Sequence, residues 1–184
     1  GGICGIAGSY DRSTFAPTYR QSYIRDNGVN KTTVEATTSH AGGITGLSYT
    51  NNSTDNYRNF VKDRSTITAP TLVGGLVGEM KSGIWRLSYV DDITVTATGD
   101  YAGGLVGKAD IESDNDYVGS LHQSYSHATV SGNDYVGGIY GYYNVTIHNT
   151  TANHYLYSLM NMSDITGSGS HVYAVGYNED GALS

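Results

Sequence analysis

Apolar residues in this chain neither run in long stretches nor recur at helical spacing; they come in short bursts set between glycines and polar residues. One burst repeats. The segment Gly-Gly-apolar-x-Gly occurs at Gly1-Gly2-Ile3-Cys4-Gly5, Gly42-Gly43-Ile44-Thr45-Gly46, Gly74-Gly75-Leu76-Val77-Gly78, Gly103-Gly104-Leu105-Val106-Gly107 and Gly137-Gly138-Ile139-Tyr140-Gly141. The intervals are 41, 32, 29 and 34 residues, and a degenerate sixth copy, Val172 to Gly176, follows after 35. A period of that length marks a solenoid, a propeller or an array.

Two further elements share the period. Ser22-Tyr23, Ser88-Tyr89 and Ser124-Tyr125 precede the next glycine pair at a nearly fixed distance, with Asn59-Phe60 and Ser158-Leu159 in the equivalent places. Between them lie short β-branched runs at Thr33-Val34, Ile67-Thr68, Ile93-Thr94-Val95, Thr129-Val130 and Ile165-Thr166. Each unit therefore offers three short strands separated by glycine corners. Strands of this kind pair with their counterparts one coil away, about 4.8 Å apart. The pattern predicts an all-β fold: a three-faced parallel β-helix of about five coils, right-handed by the general rule for crossovers between parallel strands. The coils fall at 1–41, 42–73, 74–102, 103–136 and 137–171, with a partial one at 172–184, in a single domain. A propeller blade needs four antiparallel strands in a longer unit and fits less well.

Composition supports the strand reading. Thr, Val, Tyr and Ile total 62 residues against 29 for Ala, Leu, Glu and Lys, which excludes a helical bundle. Leu, Ile, Val and Phe are sparse, but 17 tyrosines supply buried area and charge is only 15%, so the chain is expected to fold. The formal net charge of −7, with no basic run, argues against nucleic acid as a partner. Cys4 has no second cysteine for a disulfide or a thiolate zinc site. No stretch approaches a membrane span, and the N-terminus carries no signal-like core, so the chain reads as soluble and either mature or a fragment.

The Gly-Gly-Leu-Val-Gly core followed by a Ser-Tyr strand resembles the GLUG repeat of large bacterial surface and secreted proteins, among them adhesin-like proteins and the non-catalytic parts of IgA-protease-type metallopeptidases. The resemblance covers nearly the whole chain and is best from Leu72 to Tyr143. It implies an extracellular or cell-surface repeat scaffold, not an enzyme.

On this reading Ile3, Ile44, Leu76, Leu105 and Ile139 stack down the interior, beside a smaller ladder of Ala41, Val73, Ala102 and Val136. The pairs Gly42-Gly43, Gly74-Gly75, Gly103-Gly104 and Gly137-Gly138 are structural, turning corners with positive φ where a Cβ would clash. A phosphate loop would have to open a helix. Tyr23, Tyr89 and Tyr125 line one face, either as a packing ladder or as a carbohydrate-stacking stripe.

Other candidate chemistry is weaker. Loops at Ser48 to Asn56, Lys108 to Gly119 and Tyr142 to His154 should share one edge, where insertions often bind. Sequons at Asn30, Asn51, Asn52, Asn144, Asn149 and Asn161 exceed chance and are glycosylation candidates. Asp110, Glu112, Asp114 and Asp116 alternate as in calcium loops, but the loop glycine is missing. The six histidines show no zinc spacing, and no cofactor is implied. Thr94, Thr96 and Thr98 form a hydroxyl row of the kind that orders water on ice, but the pattern is not repeated in neighbouring coils, which makes ice binding a remote third option. The expected partners are a second copy stacked end to end, neighbouring domains of a longer chain, glycans or a host surface. The rival function is a carbohydrate-binding or carbohydrate-active β-helix.

Overall fold

The computed structural model describes residues 2–8, 19–25, 31–49, 55–113, 120–147, 160–178 and 181–183. Among them every regular element is a strand, and no helix exists that could cross a membrane. The strands form a parallel solenoid of four sheets.

The first sheet stacks Cys4–Gly8, Thr45–Tyr49, Val77–Ser82, Val106–Ser113, Tyr140–Ile147 and Gly176–Asn178, all parallel, with Gly181–Leu183 added antiparallel at one edge. The second holds Asp55–Tyr57, Ile84–Arg86 and Ser120–His122. The third carries the Ser-Tyr and β-branched elements, which run as one strand at Tyr89–Ala97 and again at Tyr125–Gly132. The fourth joins the two-residue strands Ala41–Gly42, Val73–Gly74, Ala102–Gly103, Val136–Gly137 and Val172–Tyr173. Among the described residues only coils 42–73, 74–102 and 103–136 reach all four sheets. Three turns are thus complete among the described residues, with further rungs on either side, against the expected count of about five.

The interior follows the sequence pattern. Ile44, Leu76, Leu105 and Ile139 are fully buried, as are Ala41, Val73, Ala102 and Val136. Each buried Ile, Leu or Val of these ladders contributes about 1.5–3 kcal/mol by leaving water, and each Ala methyl less. Ile3 departs from the ladder: it is 48% exposed, and among the described residues a coil packs against one side of its rung.

The glycine corners are built differently from the expectation. None of the pairs has positive φ; the positive-φ glycines of the described residues are Gly83 and Gly176. What excludes a side chain is the next coil. A Cβ on Gly75 would run into the carbonyl oxygen of Gly104 and lie 2.7 Å from Val90 Cγ1, and a Cβ on Gly43 would meet Gly75 in the same way. The degenerate copy is consistent with this: Ala174 aligns with Gly138, is exposed, and has no described coil beyond it.

The left-handed corners belong to other residues, eight of them in two ladders and the remaining three, Asp63, Arg64 and Asp92, between the two halves of the third sheet's strands. His40, Leu72, Tyr101 and Tyr135 have φ of 61°, 59°, 67° and 53°; Gln21, Arg58, Leu87 and Gln123 have φ of 52°, 55°, 49° and 48°. Each costs about 1–2 kcal/mol relative to the right-handed region. Coil-to-coil hydrogen bonds hold them there: Tyr101 N–H donates to Asp134 O at 3.0 Å, and Arg58 N–H to Arg86 O at 3.0 Å.

Candidate functional site

The second left-handed ladder sets up an outward-facing surface. Each corner residue is followed by a small polar residue and then by a ring: Gln21-Ser22-Tyr23, Arg58-Asn59-Phe60, Leu87-Ser88-Tyr89 and Gln123-Ser124-Tyr125. Asn59, Ser88 and Ser124 are buried and bond from coil to coil. Ser22 N–H donates to Asn59 Oδ1 at 3.0 Å, Asn59 N–H to Ser88 Oγ at 3.2 Å and Ser88 N–H to Ser124 Oγ at 3.3 Å. With the small residue pinned inward, strand alternation turns the ring outward.

The rings stack on one another. Tyr23 and Phe60 lie 5.1 Å apart at 8°, Phe60 and Tyr89 5.2 Å at 8°, and Tyr89 and Tyr125 4.8 Å at 7°. Met160 continues the register past Tyr125. The stack consumes the ring faces and leaves edges outward, so it is a packing ladder. The stack is open at its two ends: the outer face of Tyr23, a residue 54% exposed, carries no stacked ring among the described residues, and the far face of Tyr125 is followed by Met160 instead of a ring. Burial first, then the charge of Asp91 and the Tyr89 phenol, push the Tyr125 hydroxyl up to about 12.

Beside the rings runs a groove of about 600 Å³ lined by Gln21, Tyr23, Arg58, Phe60, Leu87 and Tyr89. Basic residues gather around it. Arg20 pairs with Tyr57, and Arg58 Cζ sits 4.9 Å over the Tyr57 ring. Arg25 lies 5.8 Å from the Tyr23 centroid and is in register with Lys62, while Arg86 pairs with Tyr57. Acids lie on the same strands: Asp63 is 3.5 Å from Lys62 Nζ and pairs with it, and Asp91 bonds His127 Nδ1 at 2.9 Å.

No family model, curated protein or solved structure matches this chain. Its site must therefore be read from its own geometry.

The outer face of the first sheet holds an ionic chain. His40 Nε2 meets Glu79 at 2.8 Å, Lys81 Nζ meets Glu79 at 2.9 Å and Asp110 at 3.5 Å, and Lys108 Nζ meets Asp110 at 3.0 Å. Lys108 also sits 5.4 Å from the centroids of both Tyr101 and Tyr142. Burial pushes the Glu79 carboxyl up, but His40 and Lys81 outweigh it and hold it below the usual carboxylate range. Asp110 is likewise lowered: burial opposes, and Lys108, Lys81 and Asn144 prevail.

This placement revises the acidic run. Asp110 and Glu112 lie in the strand Val106–Ser113, not in a loop, and strand alternation accounts for their spacing. Asp114 and Asp116 fall outside the described residues. Among the described residues no cluster of three metal-ligating side chains occurs. Of the sequons, Asn144 lies in a strand and donates to Asp110 Oδ1 at 3.3 Å, and Asn161 donates to Ala174 O at 2.5 Å. Asn30, Asn51, Asn52 and Asn149 lie outside the described residues.

The threonine row does recur between coils. Thr66, Thr94 and Thr129 are in register, as are Thr68, Thr96 and Ser131. Sequence reading missed this because unequal coil lengths and the serine obscure the alignment.

Proposed function

We propose that this chain is a structural and adhesive repeat scaffold of an extracellular surface, built from GLUG-like coils, whose rungs continue onto a second copy of the chain or onto neighbouring domains. One observation carries the reading. The large apolar side chains exposed among the described residues are Ile3, Tyr23, Met160 and Met162, at 48%, 54%, 54% and 50%, and all four sit on the terminal rungs. The flanks expose none. Interior residues are also only half-buried there, with Ile24 and Val34 at one end and Ile165, Val172 and Val175 at the other.

Unpaired strand edges are templates for further pairing. Parallel rungs present opposite edges at the two ends, so a copy added at one end regenerates the same end, the heterologous geometry of an open filament. Gly181–Leu183 occupies the edge of the first sheet, which leaves the third and fourth sheets as the contact for a following copy.

Electron microscopy and sedimentation over a range of concentrations test the reading. Files of rods that shorten in a Met160→Asp variant support it; single short rods at every concentration refute self-stacking. The groove supports a second reading, in which the rod also binds carbohydrate.

A further inference from the structure

We propose that the groove beside the stacked rings binds an anionic polysaccharide laid along the solenoid axis. The proposal rests on the adhesive half of the reading above and gives that adhesion a ligand class and a place.

The shape of the site argues for a polymer. Its wall is one corner residue and one ring per coil, repeated at the rung spacing of about 4.8 Å. Gln21, Arg58 and Leu87 form one side, and Tyr23, Phe60 and Tyr89 the other. Gln123 and Tyr125 carry both sides on by one more coil. A line of repeated, similar contacts suits a chain of repeated units better than a compact small molecule.

The charge argues for an anion. The protein carries a formal −7, yet Arg58 lines this groove, Arg25 lies 5.8 Å from the Tyr23 ring, and strand register places Arg20, Lys62 and Arg86 on the adjoining rungs, Lys62 in an ion pair with Asp63. Four of the five are arginines, whose planar fork matches carboxylate and sulfate groups in a bidentate way. Arg58 is exposed, lines the groove and is held over the Tyr57 ring, so its guanidinium is positioned before any ligand arrives.

The stacking decides between kinds of polyanion and of sugar. Neutral sugars and unpaired bases both gain affinity by lying on open aromatic faces. Here the faces are spent on neighbouring rings at 4.8–5.2 Å. Edges, tyrosine hydroxyls, glutamine amides and guanidinium groups remain. That set recognises hydroxyl-rich, acid-bearing chains and gives nucleic acid no row of open faces, only those at the ends of the stack.

Binding of the whole chain to immobilised polygalacturonate and heparin, with dextran and single-stranded DNA as comparisons, tests the proposal. The wild type should bind at least one acidic glycan, more weakly as salt rises, and bind dextran and DNA at least tenfold more weakly. Arg25→Gln combined with Arg58→Gln should lower glycan affinity about tenfold, and Arg58→Lys should restore only part of it. Lys108→Gln removes a positive charge from the first sheet and should change affinity less than twofold. Far-ultraviolet circular dichroism checks that each variant keeps its fold. No binding to either acidic glycan, equal binding to dextran or DNA, or an equal loss in Lys108→Gln overturns the proposal. Rods that stack end to end but bind no acidic glycan remove the groove and leave the scaffold; binding by rods that never stack does the reverse.

Discussion

Replacing Gly75 with alanine separates two reasons why a corner can demand glycine. If the need were a left-handed backbone, asparagine would substitute better than alanine, because it visits that region more readily. The structure gives the other reason. A Cβ on Gly75 would collide with the Gly104 carbonyl oxygen and stand 2.7 Å from Val90 Cγ1 and 2.9 Å from Ile93 Cδ1. Carbon atoms prefer about 3.5–4.0 Å, so both aliphatic contacts overlap by close to an ångström. Val90 and Ile93 are themselves buried and cannot swing aside, and the Gly104 carbonyl accepts the Gly75 N–H at 3.2 Å. The cost should reach the upper end of overpacking, about 3 kcal/mol. Gly75→Asn should cost more than Gly75→Ala. Gly5→Ala is the control, since nothing lies within 4 Å of its added Cβ, and it should shift stability by less than about 0.5 kcal/mol. The reciprocal change is Gln123→Gly at an exposed left-handed corner with φ of 48°. Relief of about 1–2 kcal/mol of backbone cost, less the extra entropy of glycine in the unfolded chain, leaves a gain of about 0.5–1 kcal/mol. Urea unfolding followed by circular dichroism reads all four. Gly75→Ala within 0.5 kcal/mol of wild type, or Gly75→Asn tolerated better than Gly75→Ala, refutes the close-approach account.

Leu105→Ala opens a cavity between Leu76 and Ile139 and should cost about 3–5 kcal/mol in the same assay, while Ile3→Ala at the open end should cost less than about 1 kcal/mol. Tyr89→Ala removes two stacked neighbours and should cost about 1–3 kcal/mol, twice the effect of Tyr23→Ala, which has one. Glu79 and Asp110 have folded pKa values below their unfolded ones, so their stabilisation is full above about pH 4–5 and is lost as pH falls through the folded values. Lys81 has the opposite sign: its ammonium pKa is raised, since Glu79 and Asp110 outweigh its burial, and its contribution fades only at strongly alkaline pH. Unfolding midpoints against pH should therefore fall on the acid side, and less steeply in Glu79→Gln.

The period, the aliphatic ladder and the parallel stacking were legible because each depends on residue type at a fixed position, and Ile44, Leu76, Leu105 and Ile139 announce themselves. The left-handed corners were not. Most are occupied by His40, Leu72, Tyr101 and Tyr135 in one ladder and by Gln21, Arg58, Leu87 and Gln123 in the other, sets of mixed residue types with no common signature. Their backbone is fixed by bonds to the adjacent coil, so the signal lies in the neighbour and not in the residue. The glycine pairs misled for the complementary reason: glycine reports that a Cβ is unwelcome without saying whether a dihedral angle or a neighbouring carbonyl objects. The groove was hidden by the same logic. Arg20, Arg25, Arg58, Lys62 and Arg86 span more than sixty residues of an acidic chain, and no run of sequence shows them as a cluster. Pairing in register brings them to the second and third sheets of successive coils, next to rings that the sequence leaves as either a packing ladder or a platform for sugars. Once those rings are seen to lie against each other, the tyrosines account for the rigidity of the surface and the arginines for what it can select.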